Sequence, residues 1–300
     1  MTPPNRVGVV TVTYNSGKVI DEFVKSLLAQ THADFVLYAV DNASSDDTLS
    51  RLSSFPDSRI VVVPNRHNLG FAGGTNVGIH SALEAGCHSV LLINNDTVFD
   101  PQLIEKLVDG LLACSCQMTA PKILYYDHPN RIWAAGGTIS WPRGLRPKHF
   151  GYGQTDRSQF DRARQVPFAP LCCTLILSDV FHLIGYLDAR YFVYFEDVDF
   201  MYRAAKAGVK LVYIPGATLL HRVNALTGGK TSEFTIRYSH RNYFYFLLRR
   251  FGMWRTLPFV VANRCYFAAR RLLNLDTSAV YLLKKACIRE AVQMYKRDEQ

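Results

Sequence analysis

Ser89-Val90-Leu91-Leu92-Ile93-Asn94-Asn95-Asp96-Thr97 is the stretch that decides the fold, because five small or apolar residues run directly into three polar ones. A short apolar run bounded by turn-forming residues predicts a buried strand of a parallel sheet. Ligands of open α/β sheets bind beyond the carboxyl ends of such strands, so we expect Asp96 at the mouth of the sheet. Its carboxylate either binds a hard cation that also holds a diphosphate, or forms an Asx turn that ends the strand.

The same alternation of apolar runs and helical patterns continues on both sides of this strand. Other predicted strands are Val7–Thr13, Phe35–Val40, Ile60–Val63, Leu171–Leu177, Lys210–Ile214 and Ala217–His221. Predicted helices cover residues 19–30, 76–86 and 101–113. Strands that alternate with helices predict an α/β fold with a doubly wound, mostly parallel sheet.

Composition narrows the class of protein. The 300 residues are 48% hydrophobic, which is enough for one large core, and no run of 18 apolar residues predicts a membrane-spanning helix. The N-terminus lacks the basic and apolar segments of a signal peptide. The seven cysteines are an odd number without a CxxC pair, so we expect reduced thiols and a cytoplasmic location.

Positive charge is concentrated near the C-terminus. Residues 234–297 carry 13 Lys/Arg and two acids, a net charge of +11, which leaves −2 for the rest of a chain whose total is +9. Residues 234–273 also contain 11 aromatic residues, among them Tyr243–Phe246 and Trp254. This mixture suits an anionic membrane interface or single-stranded nucleic acid, and it also suits a helical subdomain that packs on the core.

Two features after residue 190 indicate chemistry. An aromatic run, Tyr191–Phe195, leads directly into Glu196, Asp197 and Asp199. Carboxylates beside an apolar wall gain proton affinity and can act as a general base, or they can simply stabilise the start of a helix. His221 ends a predicted strand, as Asp96 follows one, and is either a metal ligand or a structural histidine.

The segment Gly70–Gly74 is rich in glycine but matches neither a P-loop nor GxGxxG. It is either a tight entry into the helix that follows or a helix N-terminus that faces an anion.

Several motifs, taken in order, resemble one family. The set is Thr13-Tyr14-Asn15, Asp41–Asp46, Asn68–Asn76, Asn94-Asn95-Asp96 and Phe195–Asp199. It is similar to the family-2 inverting glycosyltransferases of GT-A fold, and most closely to their rhamnosyltransferase-like branch, over Val7 to Arg250. The resemblance implies a Rossmann-like, mostly parallel sheet flanked by helices in residues 1–232. A helical, membrane-associating segment would then occupy residues 233–300.

The resemblance also implies residue roles. Asp41 would contact the nucleotide base, and Asp96 would bind Mg²⁺ or Mn²⁺ together with His221. Asp197 would be the catalytic base with Glu196 in support. The remaining donor-binding set would be Thr11, Tyr14, Asn15, Asn68, Gly74, Asn94 and Asn95. The chain departs from the family pattern at Asn94, where an acid is usual, at Pro170–Cys173 and at Asp188-Ala189.

The implied activity is transfer of a sugar, with rhamnose as the first candidate, from a dTDP- or UDP-sugar. The acceptor would be a glycan or a polyprenyl-diphosphate-linked sugar in cell-surface polysaccharide assembly. The protein would be peripheral on the inner face of the cell membrane and would bind no nucleic acid. Two alternatives are a catalytically inactive nucleotide-sugar binder and a sugar-nucleotide nucleotidyltransferase. The latter needs a glycine-rich basic loop near the N-terminus, which Tyr14-Asn15-Ser16-Gly17 is not.

Overall fold

The computed structural model describes residues 6–141, 144–223 and 232–298. The strands are β1 (Val7–Thr13), β2 (Phe35–Asp41), β3 (Ile60–Pro64), β4 (Ser89–Ile93), β5 (Thr97–Phe99), β6 (Met118–Tyr125), β7 (Ile132–Ala134), β8 (Gly137–Ile139), β9 (Pro147–His149), β10 (Arg164–Gln165), β11 (Cys173–Leu177) and β12 (Leu211–His221). The helices are α1 (Ile20–Leu28), α2 (Thr48–Ser53), α3 (Gly70–Glu84), α4 (Leu103–Ala113), α5 (Ser178–Ile184), α6 (Glu196–Lys206), α7 (Glu233–Leu272) and α8 (Ser278–Asp298).

A mixed sheet forms the centre, in the order β10-β12-β6-β11-β4-β1-β2-β3. Strands β3, β2, β1 and β4 are parallel, and β6 is parallel to β12. Between these two groups, β11 is antiparallel to both β4 and β6. The prediction of an α/β fold is therefore confirmed. Two predicted strands, 210–214 and 217–221, are instead one strand, β12, whose register shifts between Ile214 and Thr218.

The order of the strands fixes where a ligand can bind. From β1 the chain continues to β2 and β3 on one side, whereas β4 lies on the other side of β1. The strand order therefore changes direction at β1. Such a switch point leaves a crevice at the carboxyl ends of β1 and β4. Helix α3 packs closely over β1, because a Cβ at Gly78 would lie 2.4 Å from Val10 Cγ1.

The C-terminal segment is helical, and α7 is interrupted at Gly252, whose φ of 75° breaks the helix. Before that break, Tyr243–Leu248 are buried on every face of the helix, with 0–1% of their surface exposed. The interpretation of Tyr243–Phe246 as membrane-facing residues is therefore wrong, since these side chains pack in the core. After the break Trp254 is 86% exposed. Within the described residues, no helix combines the length and apolarity needed to cross a bilayer.

Buried polar contacts tie the first half of α7 to α6. Asp199 is fully buried and accepts from Arg203 on its own helix and from Arg250 on α7, at 2.9 Å and 2.5 Å. Asn242 donates to the backbone carbonyl oxygens of Tyr191, Val193 and Tyr194 at 2.7–2.8 Å. These contacts fix the segment that precedes α6. The division of the chain at residue 232 remains a prediction.

Candidate active site

A cavity of about 720 Å³ opens at the crevice beyond β1 and β4. Side chains from both halves of the sheet, from the start of α6 and from the first turns of α7 enclose it. The polar lining residues are Tyr14, Asn42, Asn68, Asn94, Asn95, Asp96, His149, Tyr194, Glu196, Asp197, His221 and Tyr238. The cavity therefore brings together residues that are as much as 226 positions apart in the chain, from Val12 to Tyr238.

Asp96 and His221 meet on one wall because two strands pair there. β5 starts directly after Asp96 and runs antiparallel to the end of β12, so that Thr97 lies opposite His221. Asp96 Oδ1 lies 3.2 Å from His221 Nε2, and both residues are 7% exposed. Neither Asp96 Oδ1 nor His221 Nδ1 has a hydrogen-bond partner among the described residues.

This pair suits a shared divalent cation. A carboxylate oxygen suits Mg²⁺ and Mn²⁺ alike, whereas an imidazole nitrogen suits a transition metal such as Mn²⁺ better than Mg²⁺. Asn94 Oδ1, in the same turn as Asp96, is also buried without a partner in the described chain. No group of three or more His, Cys, Asp or Glu side chains in the described residues could hold a metal. The protein therefore supplies few charged ligands, and most of the coordination would be left to a ligand and water.

Glu196 and Asp197 stand at the start of α6, after a strained segment. Phe192, Tyr194 and Phe195 all have positive φ, between 65° and 73°. Such conformations cost about 1–3 kcal/mol each and persist only where surrounding contacts hold them. The bend turns both carboxylates toward the cavity, which they line.

The two carboxylates differ in proton affinity. Burial raises the pKa of Glu196 well above its ordinary range, and the adjacent Asp197 raises it further. Burial raises the pKa of Asp197 to about 6, against a hydrogen bond from the Val198 backbone that lowers it. Glu196 therefore holds its proton more strongly than Asp197, and Asp197 is the first of the two to ionise as the pH rises. Asp197 is therefore the group that can accept a proton.

The Cys172 side chain lines the same cavity as the Glu196–Asp197 pair and the Asp96–His221 pair. Burial raises the pKa of its thiol well above the ordinary range, and the charges of Asp96 and Asp197 both act in the same direction. The Cys172 carbonyl also accepts from the Asn94 backbone at 2.9 Å, which links β11 to the turn after β4.

The predicted nucleotide residues divide into two groups. Tyr14, Asn68, Asn94 and Asn95 line the cavity, although the Asn95 amide donates to the Val12 carbonyl at 2.6 Å. Four others lie outside the lining: Thr11, Asn15, Asp41 and Gly74.

The residues outside the lining shape the loops behind the cavity. Asp41 is buried and accepts from Thr13 Oγ1 at 2.8 Å and from the Ser44 backbone at 2.9 Å. Asn15 accepts from the Ser45 backbone at 2.8 Å. A Cβ at Gly74 would lie 2.9 Å from Val12 Cγ1, so this glycine allows α3 to approach β1. The ligand-binding roles of all these residues remain predictions.

Asn42, Trp133 and His149 are among the cavity residues that were not predicted from the sequence. Asn42 donates to the Gly70 carbonyl at 2.9 Å and accepts from Asn65 at 2.8 Å, so it joins the ends of β2 and β3 to the start of α3. Its position directly after a strand, inside the Asp41–Asp46 motif, was the available signal. Trp133 and His149 come from short antiparallel strands whose sequence carries no comparable signal.

Comparison with known proteins places this site in context. The family model described as "Glycosyl transferase family 2" matches residues 8–185. The chain is 27% identical to the N-acetylglucosaminyl-diphospho-decaprenol L-rhamnosyltransferase of Mycobacterium tuberculosis, over 89% of this chain and 94% of the relative. It is 22% identical to the dTDP-rhamnosyl transferase RfbF of Shigella flexneri, over 73% of this chain and 70% of that protein.

Solved structures agree with the fold. The crystal structure of GalNAc-T7 with UDP, GalNAc and Mn²⁺ superposes with a TM-score of 0.64 at 14% identity, over 99% of this chain. The structure of S. aureus TarS gives a TM-score of 0.58 at 16% identity, over 81% of this chain. This chain spans 58% of the GalNAc-T7 chain and 40% of the TarS chain, and at these identities the likeness concerns the fold alone.

Proposed function

This chain belongs to glycosyl transferase family 2, and we propose that it is an inverting, metal-dependent enzyme that moves a sugar from a nucleotide diphosphate sugar to a lipid-linked or glycan acceptor. Rhamnose from dTDP-rhamnose is the first candidate donor, since two relatives are named rhamnosyltransferases. The relative named for N-acetylglucosaminyl-diphospho-decaprenol supports a polyprenyl-diphosphate acceptor in cell-surface polysaccharide assembly. One observation carries the proposal: a largely ionised Asp197 shares a cavity with the buried Asp96–His221 pair.

In this mechanism Asp197 removes the proton from an acceptor hydroxyl as the oxygen attacks the anomeric carbon. A single displacement from the face opposite the leaving diphosphate inverts the configuration at that carbon. Burial and the neighbouring Asp197 raise the pKa of Glu196, so Asp197 is the member of this pair that more readily serves as the base. Asp96 and His221, with Asn94 beside them, would hold Mg²⁺ or Mn²⁺. The metal would act as a Lewis acid on the departing nucleoside diphosphate.

The nucleotidyltransferase alternative receives no support from the loop after β1. Such an enzyme needs free backbone N–H groups near the N-terminus to bind a triphosphate. Here the Ser16 N–H donates to Thr48 Oγ1 at 2.7 Å, and the Gly17 N–H donates to Asp46 Oδ2 at 3.0 Å. A charged carboxylate in a cavity wall is costly when no positive charge compensates it. A catalytically inactive nucleotide-sugar binder would gain nothing from Asp197 that offsets this cost, whereas a base would.

The test is transfer by the purified full chain across a panel of dTDP- and UDP-sugars, with Mn²⁺ or with a chelator. We expect one donor to be consumed only with the metal, and we expect product of inverted anomeric configuration by NMR. Asp197→Asn should reduce transfer by about 10²–10⁴-fold. Asp179→Asn is the matched control, since Asp179 is exposed at the start of α5, outside the cavity. Retained configuration, or an active Asp197→Asn variant, would contradict the proposal.

We also propose that the second half of α7 associates with the inner face of the cell membrane. After the Gly252 break, Trp254, Leu257, Val261 and Leu272 recur at helical spacing and are 47–86% exposed. They therefore form one apolar stripe, flanked by basic residues that favour an anionic leaflet: Arg255, Arg264 and Arg271.

Co-sedimentation with anionic liposomes tests this surface. We expect the wild type to sediment with them, and less so in high salt, because screening weakens the basic contribution. The variant Trp254→Ser/Leu257→Ser/Val261→Ser should remain in solution. Leu112→Ser/Leu183→Ser is the control, because these exposed leucines lie on α4 and α5. Equal sedimentation of the stripe variant would contradict the assignment.

A further inference from the structure

One wall of the cavity is built from two aromatic side chains that have no assigned role. Trp133 lies in β7 and His149 ends β9, and their ring centroids are 4.6 Å apart with an interplanar angle of 33°. The edge of Trp133 meets His221 at 4.9 Å and 81°. All three residues line the cavity, so this wall continues directly from the Asp96–His221 pair.

Backbone features hold His149 in this wall. Gly137 in β8 pairs with His149 in β9, and a Cβ on Gly137 would lie 2.7 Å from the Lys148 carbonyl oxygen and 2.9 Å from Phe168. Only glycine permits this close approach of the hairpin to Phe168. The imidazole then lies 5.8 Å from the Phe168 ring. The hairpin therefore fixes the imidazole between aromatic neighbours.

The imidazole is polar but poorly satisfied where it lies. Its Nδ1 is buried and has no hydrogen-bond partner among the described residues. Burial lowers the pKa of His149 to about 4, so the ring is neutral at physiological pH and offers one donor and one acceptor. Buried polar atoms in native proteins are rarely left without partners, so each exception needs an explanation. His149 lines the cavity, so a turn of its ring would bring this nitrogen within reach of a ligand hydroxyl.

We propose that Trp133 and His149 form the subsite that binds the sugar ring of the nucleotide-sugar donor. A sugar presents C–H groups on its ring face and hydroxyls at its rim, which match an aromatic surface with one polar group. The sugar is bonded directly to the diphosphate. The wall contacts His221, one of the two candidate diphosphate and metal residues. The inference rests on the proposed function and names the residues that select its donor.

The experiment compares two ligands that differ only by the sugar. Isothermal titration with Mn²⁺ would measure binding of dTDP-rhamnose and of dTDP, or of another nucleotide sugar and its own nucleoside diphosphate if the donor panel identifies one. His149→Phe keeps a ring of similar shape but removes both nitrogens. We expect it to weaken binding of the nucleotide sugar by about tenfold and to leave the nucleoside diphosphate within about twofold.

A second pair of variants tests the aromatic surface. Trp133→Leu should weaken binding of the nucleotide sugar more than that of the nucleoside diphosphate. Trp141→Leu is the matched control, because Trp141 contacts Phe251 in a T-shaped arrangement and Phe259 in a tilted one, outside the cavity lining. If Trp133→Leu fails to fold, the His149→Phe variant alone tests the subsite. Its aromatic ring can keep the contacts of His149 with Trp133 and Phe168.

Three results would overturn the subsite. The first is unchanged binding of both ligands by His149→Phe, and the second is equal loss of both. The third is a changed KM for the acceptor alone, which would place the wall on the acceptor side. These results differ from failure of the proposed function, in which the wild-type protein would neither bind a nucleoside diphosphate nor transfer a sugar.

Discussion

Replacement of Asp197 by asparagine is expected to remove most of the transfer activity and at the same time to stabilise the folded chain. The carboxylate lines the cavity at the start of α6, and its burial makes the ionised form costly. Asparagine has nearly the same shape and keeps an oxygen that can accept from the Val198 backbone at 2.7 Å. The substitution therefore removes the charge and leaves the packing unchanged.

The size and sign of the effect follow from the pKa. Folding raises the pKa of Asp197 from 3.8 to about 6, and each unit corresponds to about 1.4 kcal/mol. A raised pKa means that the folded state binds the proton more tightly than the unfolded state. The contribution of Asp197 to the free energy of unfolding is therefore fully present below pH 3.8. It is lost as the pH rises through about 6. At pH 7.5 the variant should be more stable by roughly 3 kcal/mol at most, and at pH 4.5 the gain should fall to roughly 1 kcal/mol.

Urea unfolding of the wild type and the variant at pH 7.5 and pH 4.5 measures this difference. Asp199→Asn is the internal control two residues away, because its carboxylate pairs with Arg203 and Arg250. Removing that buried charge leaves the partly buried guanidinium groups of Arg203 and Arg250 without their carboxylate partner and should destabilise the chain by up to about 3–5 kcal/mol. The two substitutions are chemically identical and should have opposite signs at neutral pH.

Two results would refute the reasoning. If Asp197→Asn were less stable than the wild type at pH 7.5, the ionised carboxylate would be a stabilising group and not a strained base. If the gain were the same at both pH values, it would come from packing and not from charge. The double variant Glu196→Gln/Asp197→Asn separates the contribution of Glu196. Because burial raises the pKa of Glu196 and so favours its neutral form, the added substitution should alter the free energy of unfolding little.

Three further outcomes are expected. The rate of transfer should rise with pH through about 6 as Asp197 ionises, and a rising limb centred near 4 would exclude Asp197 as the base. Asp96→Ala should abolish the Mn²⁺-dependent part of dTDP binding in calorimetry, and unchanged metal dependence would exclude Asp96 as a ligand. Gly70→Ala should lower the midpoint of thermal unfolding and the rate of transfer, because φ is +73° and the new Cβ would lie 2.5 Å from Phe192. An unperturbed Gly70→Ala variant would show that this contact does not support the segment before α6.

The sequence predicts most of one side of the site and little of the other. Apolar strands that end in polar residues identify β1, β2 and β4, and parallel strands bring their carboxyl ends to one edge. Asp96 and Asn94 could therefore be placed from the sequence. The opposite wall depends on β7, β8 and β9, which have three residues each, and such short strands leave no periodic pattern. Trp133 and His149 were missed for this reason.

The composition of the C-terminal segment also led to a wrong prediction for the first half of α7. Aromatic and basic residues together are typical of a membrane interface, yet Tyr243–Leu248 are buried on all sides of their helix. Six consecutive buried positions carry no helical period, which is the pattern of a helix enclosed by the core. Only after Gly252 do exposed apolar residues recur at helical spacing, and that part alone retains the membrane interpretation.

The first half of α7 acts on the catalytic segment directly. Asn242 has two donor hydrogens and lies within hydrogen-bond distance of three carbonyl oxygens, those of Tyr191, Val193 and Tyr194. These carbonyls belong to the strained segment that turns into Glu196 and Asp197. Contacts from α7 therefore offset the backbone strain that positions the base. The exposed apolar stripe follows directly after the break at Gly252, so a surface bound to the stripe would lie next to the helical half that already holds the active site in place.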